Sequence, residues 1–171
     1  GWMKGQASGK TTRPHGGNTL GNPPGMVDHL AIVDSAAEFQ LGAMDGVDLI
    51  TSSDGIAQVV MKGGETKDYP KKGIWTSPEE KTEYPFTELI PSWNLKTPGE
   101  TGVYFEVRVR QAADQAWSPW MYIGYWGRVR VVKPVEQFDG GYVNSDNLIL
   151  NKSADAYQMR AVFQSFEPLG S

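Results

Sequence analysis

Val103-Tyr-Phe-Glu-Val-Arg-Val-Arg110 alternates apolar and polar residues without a break. A short way downstream, Trp117-Ser-Pro-Trp120-Met-Tyr122-Ile-Gly-Tyr125-Trp126 carries a dense run of aromatics. A period of two is the signature of a half-buried strand. Val103, Phe105, Val107 and Val109 therefore face a core, and Tyr104, Glu106, Arg108 and Arg110 face outward. In the second stretch Met121 and Ile123 point inward with Tyr125, and Trp120, Tyr122 and Trp126 share the opposite face. If the two strands are neighbours, one exposed face displays Trp, Tyr, Arg and Glu together. Gly124 marks a bulge or a close approach to the backbone. A bulge there would exchange Tyr125 for Trp126 on the exposed face.

The same short-strand pattern extends outward from this pair. Candidate strands are 38–42, 47–51, 56–62, 73–77, 86–94, 102–110, 120–126, 128–132, 144–150 and 157–165. Asp45-Gly, Asp54-Gly, Gly63-Gly, Pro98-Gly and Asp139-Gly-Gly supply turns between them. Strands at such spacing predict an all-β fold, an antiparallel β-sandwich of jelly-roll type. Residues 35–40 have some helical character over a length too short to matter. Residues 1–28 read as a flexible N-terminal tail or linker, since Gly16-Gly-Asn and Gly21-Asn-Pro-Pro-Gly25 carry no apolar period. The folded domain is expected over 29–168, with His29-Leu-Ala-Ile-Val33 suited to a sheet edge.

Composition sets limits on function. A chain of 171 residues can bury a core without metal or disulfide staples. Formal net charge is −4 and the basic residues are scattered, so nucleic-acid binding is not expected. No apolar run is long enough to span a bilayer, and no membrane role is expected. The cysteine count is zero, which excludes disulfides, thiolate metal sites and a cysteine nucleophile within these residues. The Trp, Tyr, Gly and Pro content leans towards an extracellular β module, so a secreted or cell-surface setting is expected.

A resemblance rests on several quoted runs. They are Phe86-Thr-Glu-Leu-Ile-Pro-Ser-Trp-Asn94, Thr97-Pro-Gly99, Phe105-Glu-Val-Arg-Val-Arg110, Trp117-Ser-Pro-Trp120 and Gly124-Tyr-Trp126. Val143-Asn-Ser-Asp-Asn-Leu148 and Tyr157-Gln-Met-Arg160 fit the closing strands. Together they resemble a bacterial exported β-sandwich module of the kind found before C39-like cysteine peptidase domains or beside glycoside-degrading enzymes. The similarity spans residues 39–166. It implies a fold and a neighbourhood, with a catalytic domain in the same polypeptide as a possible partner, rather than an activity of this chain.

Each chemical constellation competes with a plainer reading. Sugars stack C–H faces on indole and phenol rings while Arg and Glu bond their hydroxyls. Tyr104, Glu106, Arg108, Trp120, Tyr122 and Trp126 are therefore the candidate ligand-binding set, with carbohydrate the preferred ligand. The plainer readings are that the tryptophans fill the core, or that Arg108 stacks on a ring purely for stability. Trp93 is expected in the core, and Trp75 at a platform rim or strand end. Catalysis is not expected: His15 and His29 lie in or beside the tail, and Glu88 with Glu106 is a weak carboxylate pair. Gly5-Gln-Ala-Ser-Gly-Lys-Thr11 is one residue short of a phosphate loop. Asp45, Asp48, Asp139, Asn144 and Asp146 could ligate calcium, but Asp-Gly is ordinary hairpin chemistry. No metal and no cofactor are expected. The reading is a non-catalytic binding module, most favourably for carbohydrate, with a structural or accessory domain of a larger hydrolase or peptidase as the alternative.

Overall fold

The computed structural model describes residues 2–12, 26–33, 35–63 and 68–168. In chain order the elements are β1 (Trp2–Thr12), β2 (Met26–Val33), α1 (Ala36–Gln40), β3 (Ala43–Asp45), β4 (Val47–Thr51), β5 (Ala57–Met61) and β6 (Lys71–Thr76). There follow β7 (Glu80–Lys96), β8 (Thr101–Gln111), β9 (Met121–Gly127), β10 (Gln137–Phe138), β11 (Gly141–Asn144) and β12 (Asn147–Ser165). The pairings are antiparallel, so the all-β antiparallel class expected from the turn spacing holds.

One strand organises the rest. β12 is 19 residues long and hydrogen-bonds to four neighbours. Its first half pairs with β11 on one edge and β7 on the other; its second half pairs with β8 and β6. The change of partners falls at register shifts between Ile149, Ala154 and Ala156. Ala154 and Ala156 are fully buried there, and their small side chains suit a strand flanked closely on both edges. β9 continues the sheet beyond β8, β3 beyond β6, and β1 then β2 beyond β7; β4 and β5 form a separate two-stranded sheet.

The core follows the alternation read from the sequence. Val103, Phe105, Val107 and Val109 are all buried, opposite Phe163, Ala161, Met159 and Tyr157 of β12. Two buried clusters result. One gathers around Phe86, Leu89, Met121 and Leu148; the other around Phe39, Val59, Trp75 and Phe163. Trp93 packs against both clusters, and its ring stacks on Phe105 at a centroid distance of 3.8 Å. Trp75 is not a rim residue: it is 1% exposed, meets Phe39 edge-on at 5.6 Å, and donates its indole N–H to the Phe39 carbonyl.

Three expectations need correction. Trp2–Thr12, read as part of a tail over 1–28, is a strand between β7 and β2. Its glycines argued for a loop, yet the register sets Gly5, Ala7 and Gly9 opposite Trp93, Pro91 and Leu89. Residues 13–25, with both glycine-rich runs, lie outside the described residues. The strand expected over 38–42 is instead the end of α1 and its C-cap, started by a capping box in which Ser35 and Glu38 each accept the other's backbone N–H. Residues 128–132 are not a strand; they cross the sheet face and bond to a side chain, as set out below.

Phe105 carries the stack that joins the clusters. Phe105→Ala should cost about 3–5 kcal/mol. Urea denaturation should show this as a lowered midpoint with an unchanged slope.

Candidate functional site

β8 and β9 are neighbours, as expected from their sequences. Opposed residues of an antiparallel pair share a face, so register decides what the outer face carries. Tyr104, Glu106, Arg108 and Arg110 lie opposite Val162, Arg160, Gln158 and Ala156 of β12. The expected exposed platform is in fact half-buried and internally bonded. Arg160 donates from Nε and Nη2 to Glu106 Oε1 at 2.8 Å each. Arg108 Nε donates to Gln158 Oε1 at 2.6 Å, and Arg110 Nε to Asp155 Oδ1 at 2.9 Å.

The aromatics complete this set of bonds. The Arg108 guanidinium lies 4.6 Å from the Trp117 ring centroid and 4.9 Å from that of Trp120. Arg160 lies 4.3 Å from the same Trp120 ring. The Trp-Ser-Pro-Trp spacing explains the arrangement. Ser118 is buried; its Oγ accepts the Val109 N–H at 3.0 Å and its own N–H reaches the Val109 carbonyl at 2.8 Å. The segment is thereby fixed to β8 one residue from Arg108, with a tryptophan on each side of the anchor. Cation–π contacts of this kind contribute about 0.5–2 kcal/mol each, most where water is excluded. The plainer reading of Arg108, stacking for stability, describes this geometry.

A further segment covers the face near the end of β12. Gln164 is fully buried on that face; its amide oxygen accepts the Arg130 N–H at 2.5 Å and its nitrogen donates to the Arg130 carbonyl at 3.0 Å. The main chain passes so closely that a Cβ on Gly102 would stand 2.0 Å from the Arg128 carbonyl oxygen. Tyr122 then donates its N–H to Val135, tying the same loop to the edge of β9. Residues 128–132 thus find backbone partners off the ladder.

Trp126 parts company with the other candidates. The register runs Phe105↔Gly124 and then Glu106↔Tyr122, which leaves Ile123 as the extra residue of a bulge. Tyr125 therefore opposes Tyr104 on the outer face, and Trp126 opposes Val103 on the core side of the sheet. Both lie beyond the covered core, at 58% and 60% exposure. Trp126 instead lines a cleft of about 210 Å³ with Trp93, Asn94 and Leu95 of β7. Of the six candidates, five share the outer face; Trp126 is elsewhere.

The residues missed in the sequence are Asp155, Gln158, Arg160 and Gln164, which hold the outer face from β12. Their signal was the polar half of the alternation over 157–165. Burial raises the pKa of Tyr104, helped by the Glu106 charge and opposed by Arg160; burial does the same to Tyr122. Both phenols stay neutral at physiological pH. Burial would raise Asp155 too, but hydrogen bonds from Arg110 and Gln115 with the guanidinium charge hold it below its usual value.

The alternative chemistries find no assembled site. Glu88 of β7 binds the Asn147 amide and Glu106 of β8 binds Arg160, both partners lying on β12; β7 and β8 flank opposite edges of β12. Asp48 of β4 pairs with Lys62, and Asp139 pairs with Lys152 of β12. Among the described residues no three His, Cys, Asp or Glu side chains converge to hold a metal.

Two outcomes test this geometry. Trp120→Ala removes a ring shared by two arginines and should cost about 1–3 kcal/mol, whereas Trp126→Ala should change stability by less than about 0.5 kcal/mol. Chemical denaturation of the two variants checks the contrast. Asp155 has a lowered pKa in the folded state, so its stabilisation is present above the usual value of 3.8 and is lost as pH falls through the folded value. The Tm gap between wild type and Asp155→Asn should therefore be open at pH 7 and narrow below about pH 4.

Comparison with protein families bears out the resemblance in the peptidase direction. The family model for the peptidase C39 N-terminal domain matches residues 29–167. No curated protein and no solved structure matches. With 139 of 171 residues (29–167) inside that match, the chain belongs to the peptidase C39 N-terminal domain family.

Proposed function

We propose that this chain is a non-catalytic accessory domain that works beside a C39 peptidase domain of the same polypeptide. The family match carries the proposal. Chemistry supports it: a cysteine peptidase needs a thiolate nucleophile, and these 171 residues contain no cysteine. The polar side chains that could have formed a catalytic group are engaged with one another. Arg110 holds Asp155, Arg160 holds Glu106, and Arg108 sits between two indoles. Such a face supplies rigidity, which is what a scaffold for a neighbouring domain needs. The exported setting belongs to the same proposal and leans on composition.

Carbohydrate binding gains no support from these observations. A sugar needs a free ring face, and Trp120 gives its ring to Arg108 and Arg160. Displacing them would forfeit the cation–π contacts and leave Arg108 with only a neutral amide for a partner.

The expected outcome is that the 171-residue chain hydrolyses no peptide of a broad library under reducing conditions. The polypeptide that carries it together with a cysteine-bearing peptidase domain should hydrolyse peptides, and iodoacetamide should stop it. Hydrolysis by the 171-residue chain alone, or a reading frame without such a domain, would overturn the proposal.

A further inference from the structure

The Trp93–Trp126 cleft lies at one end of the molecule, and the last described residues lie at that same end. Ser165 opposes Thr101, the Phe166 N–H donates to the Glu100 carbonyl at 2.9 Å, and the Phe166 ring lies 4.6 Å from the Arg128 guanidinium. Arg128 in turn pairs with Glu100 and donates its N–H to the Thr101 carbonyl at 3.0 Å. Gly127, next to Trp126, is so close to β7's end that a Cβ there would stand 2.8 Å from Cβ of Thr97. The departing chain, the Pro98-Gly99 turn and the cleft are thus one contiguous surface.

We infer that this cleft is the docking seat for the peptidase domain of the same polypeptide, which rests on the function proposed above. Trp126 is 60% exposed at the mouth of the cleft, so its indole is available to a partner. Trp93 supplies a second indole from a partly buried position, and Leu95 an aliphatic wall. Among the described residues the cleft offers two indoles, a leucine and the Asn94 amide, a lining that takes an aliphatic or aromatic side chain from its partner, with one hydrogen bond to orient it. A domain tethered through Phe166 is held next to the cleft at high effective concentration, so a modest apolar contact suffices. The outer face makes a poorer seat, because its arginines and rings are already engaged with one another.

Hydroxyl-radical footprinting of the polypeptide with and without the peptidase domain tests this directly. Trp126 should be oxidised at least threefold more slowly when the peptidase domain is attached, while exposed Tyr142 on β11 serves as the control and stays unchanged. In the two-domain polypeptide, Trp126→Ala should return amide exchange at residues 94–96 to the level of the chain alone, whereas Tyr142→Ala should not. Cysteine-dependent peptide hydrolysis is measured on the same two-domain sample. If hydrolysis is present and Trp126 remains equally accessible, the docking seat is wrong and the functional reading stands. If hydrolysis is absent, the functional reading falls and the docking seat with it.

Discussion

Nearly every other part of this protein takes its place from the hydrogen-bond register of β12. One 19-residue strand cannot remain flat while serving β11 and β7 at one end and β8 and β6 at the other. The chain accommodates this at Asn151, Lys152 and Ser153, which are exposed between the register shifts. The Gly140 carbonyl accepts from both Asn151 and Lys152 there, so the interruption keeps its backbone bonds. Beyond it, one face of β12 closes the core with Tyr157, Met159, Ala161 and Phe163, and the other sets Gln158, Arg160 and Gln164 against β8. A slip of one residue would exchange these two sets and bury an arginine in the core.

The outer face shows how a half-buried cation is satisfied without a carboxylate for each. Arg160 has Glu106 and Arg110 has Asp155, while Arg108 has a neutral glutamine and two indole rings. Guanidinium is weakly hydrated and planar, so a ring on either side of the strand anchor replaces water at moderate cost. Lysine, a compact and strongly hydrated charge, would lose both the planar stacking and the directed bond to Gln158. The Trp-Ser-Pro-Trp run is therefore a clamp: Ser118 fixes its backbone to Val109, and the flanking rings close on Arg108.

Much of this was legible in the sequence, and the failures have physical causes. The burial of Val103, Phe105, Val107 and Val109 follows from alternation alone, whereas the adjacency of β8 and β9 was a condition that the structure meets. The aromatic run was correctly marked as unusual, but its use depended on Arg160, a residue some forty positions downstream that only the β12 register brings under Trp120. Residue type identified the aromatics and the charges; it could not say that they would satisfy each other. β1 was misread because glycine in isolation argues for a loop, whereas its place in a sheet depends on what lies across the ladder. Residues 128–132 had strand-like composition, and their backbone partner turned out to be a buried glutamine side chain.

Trp120 and Trp126 illustrate the point most sharply. They stand six positions apart, an even spacing that a regular strand would place on one face. A single extra residue, Ile123, breaks that parity and sends them to opposite sides of the sheet. Trp120 becomes part of the internal scaffold; Trp126 is left beside the departing chain with its ring largely in water. Bulges re-aim side chains at the margins of sheets, and here the re-aimed residue is Trp126, left 60% exposed. The stability of the outer face and the availability of the cleft are two consequences of that one insertion. The bulge thus separates a rigid outer face from an open cleft across the width of β9.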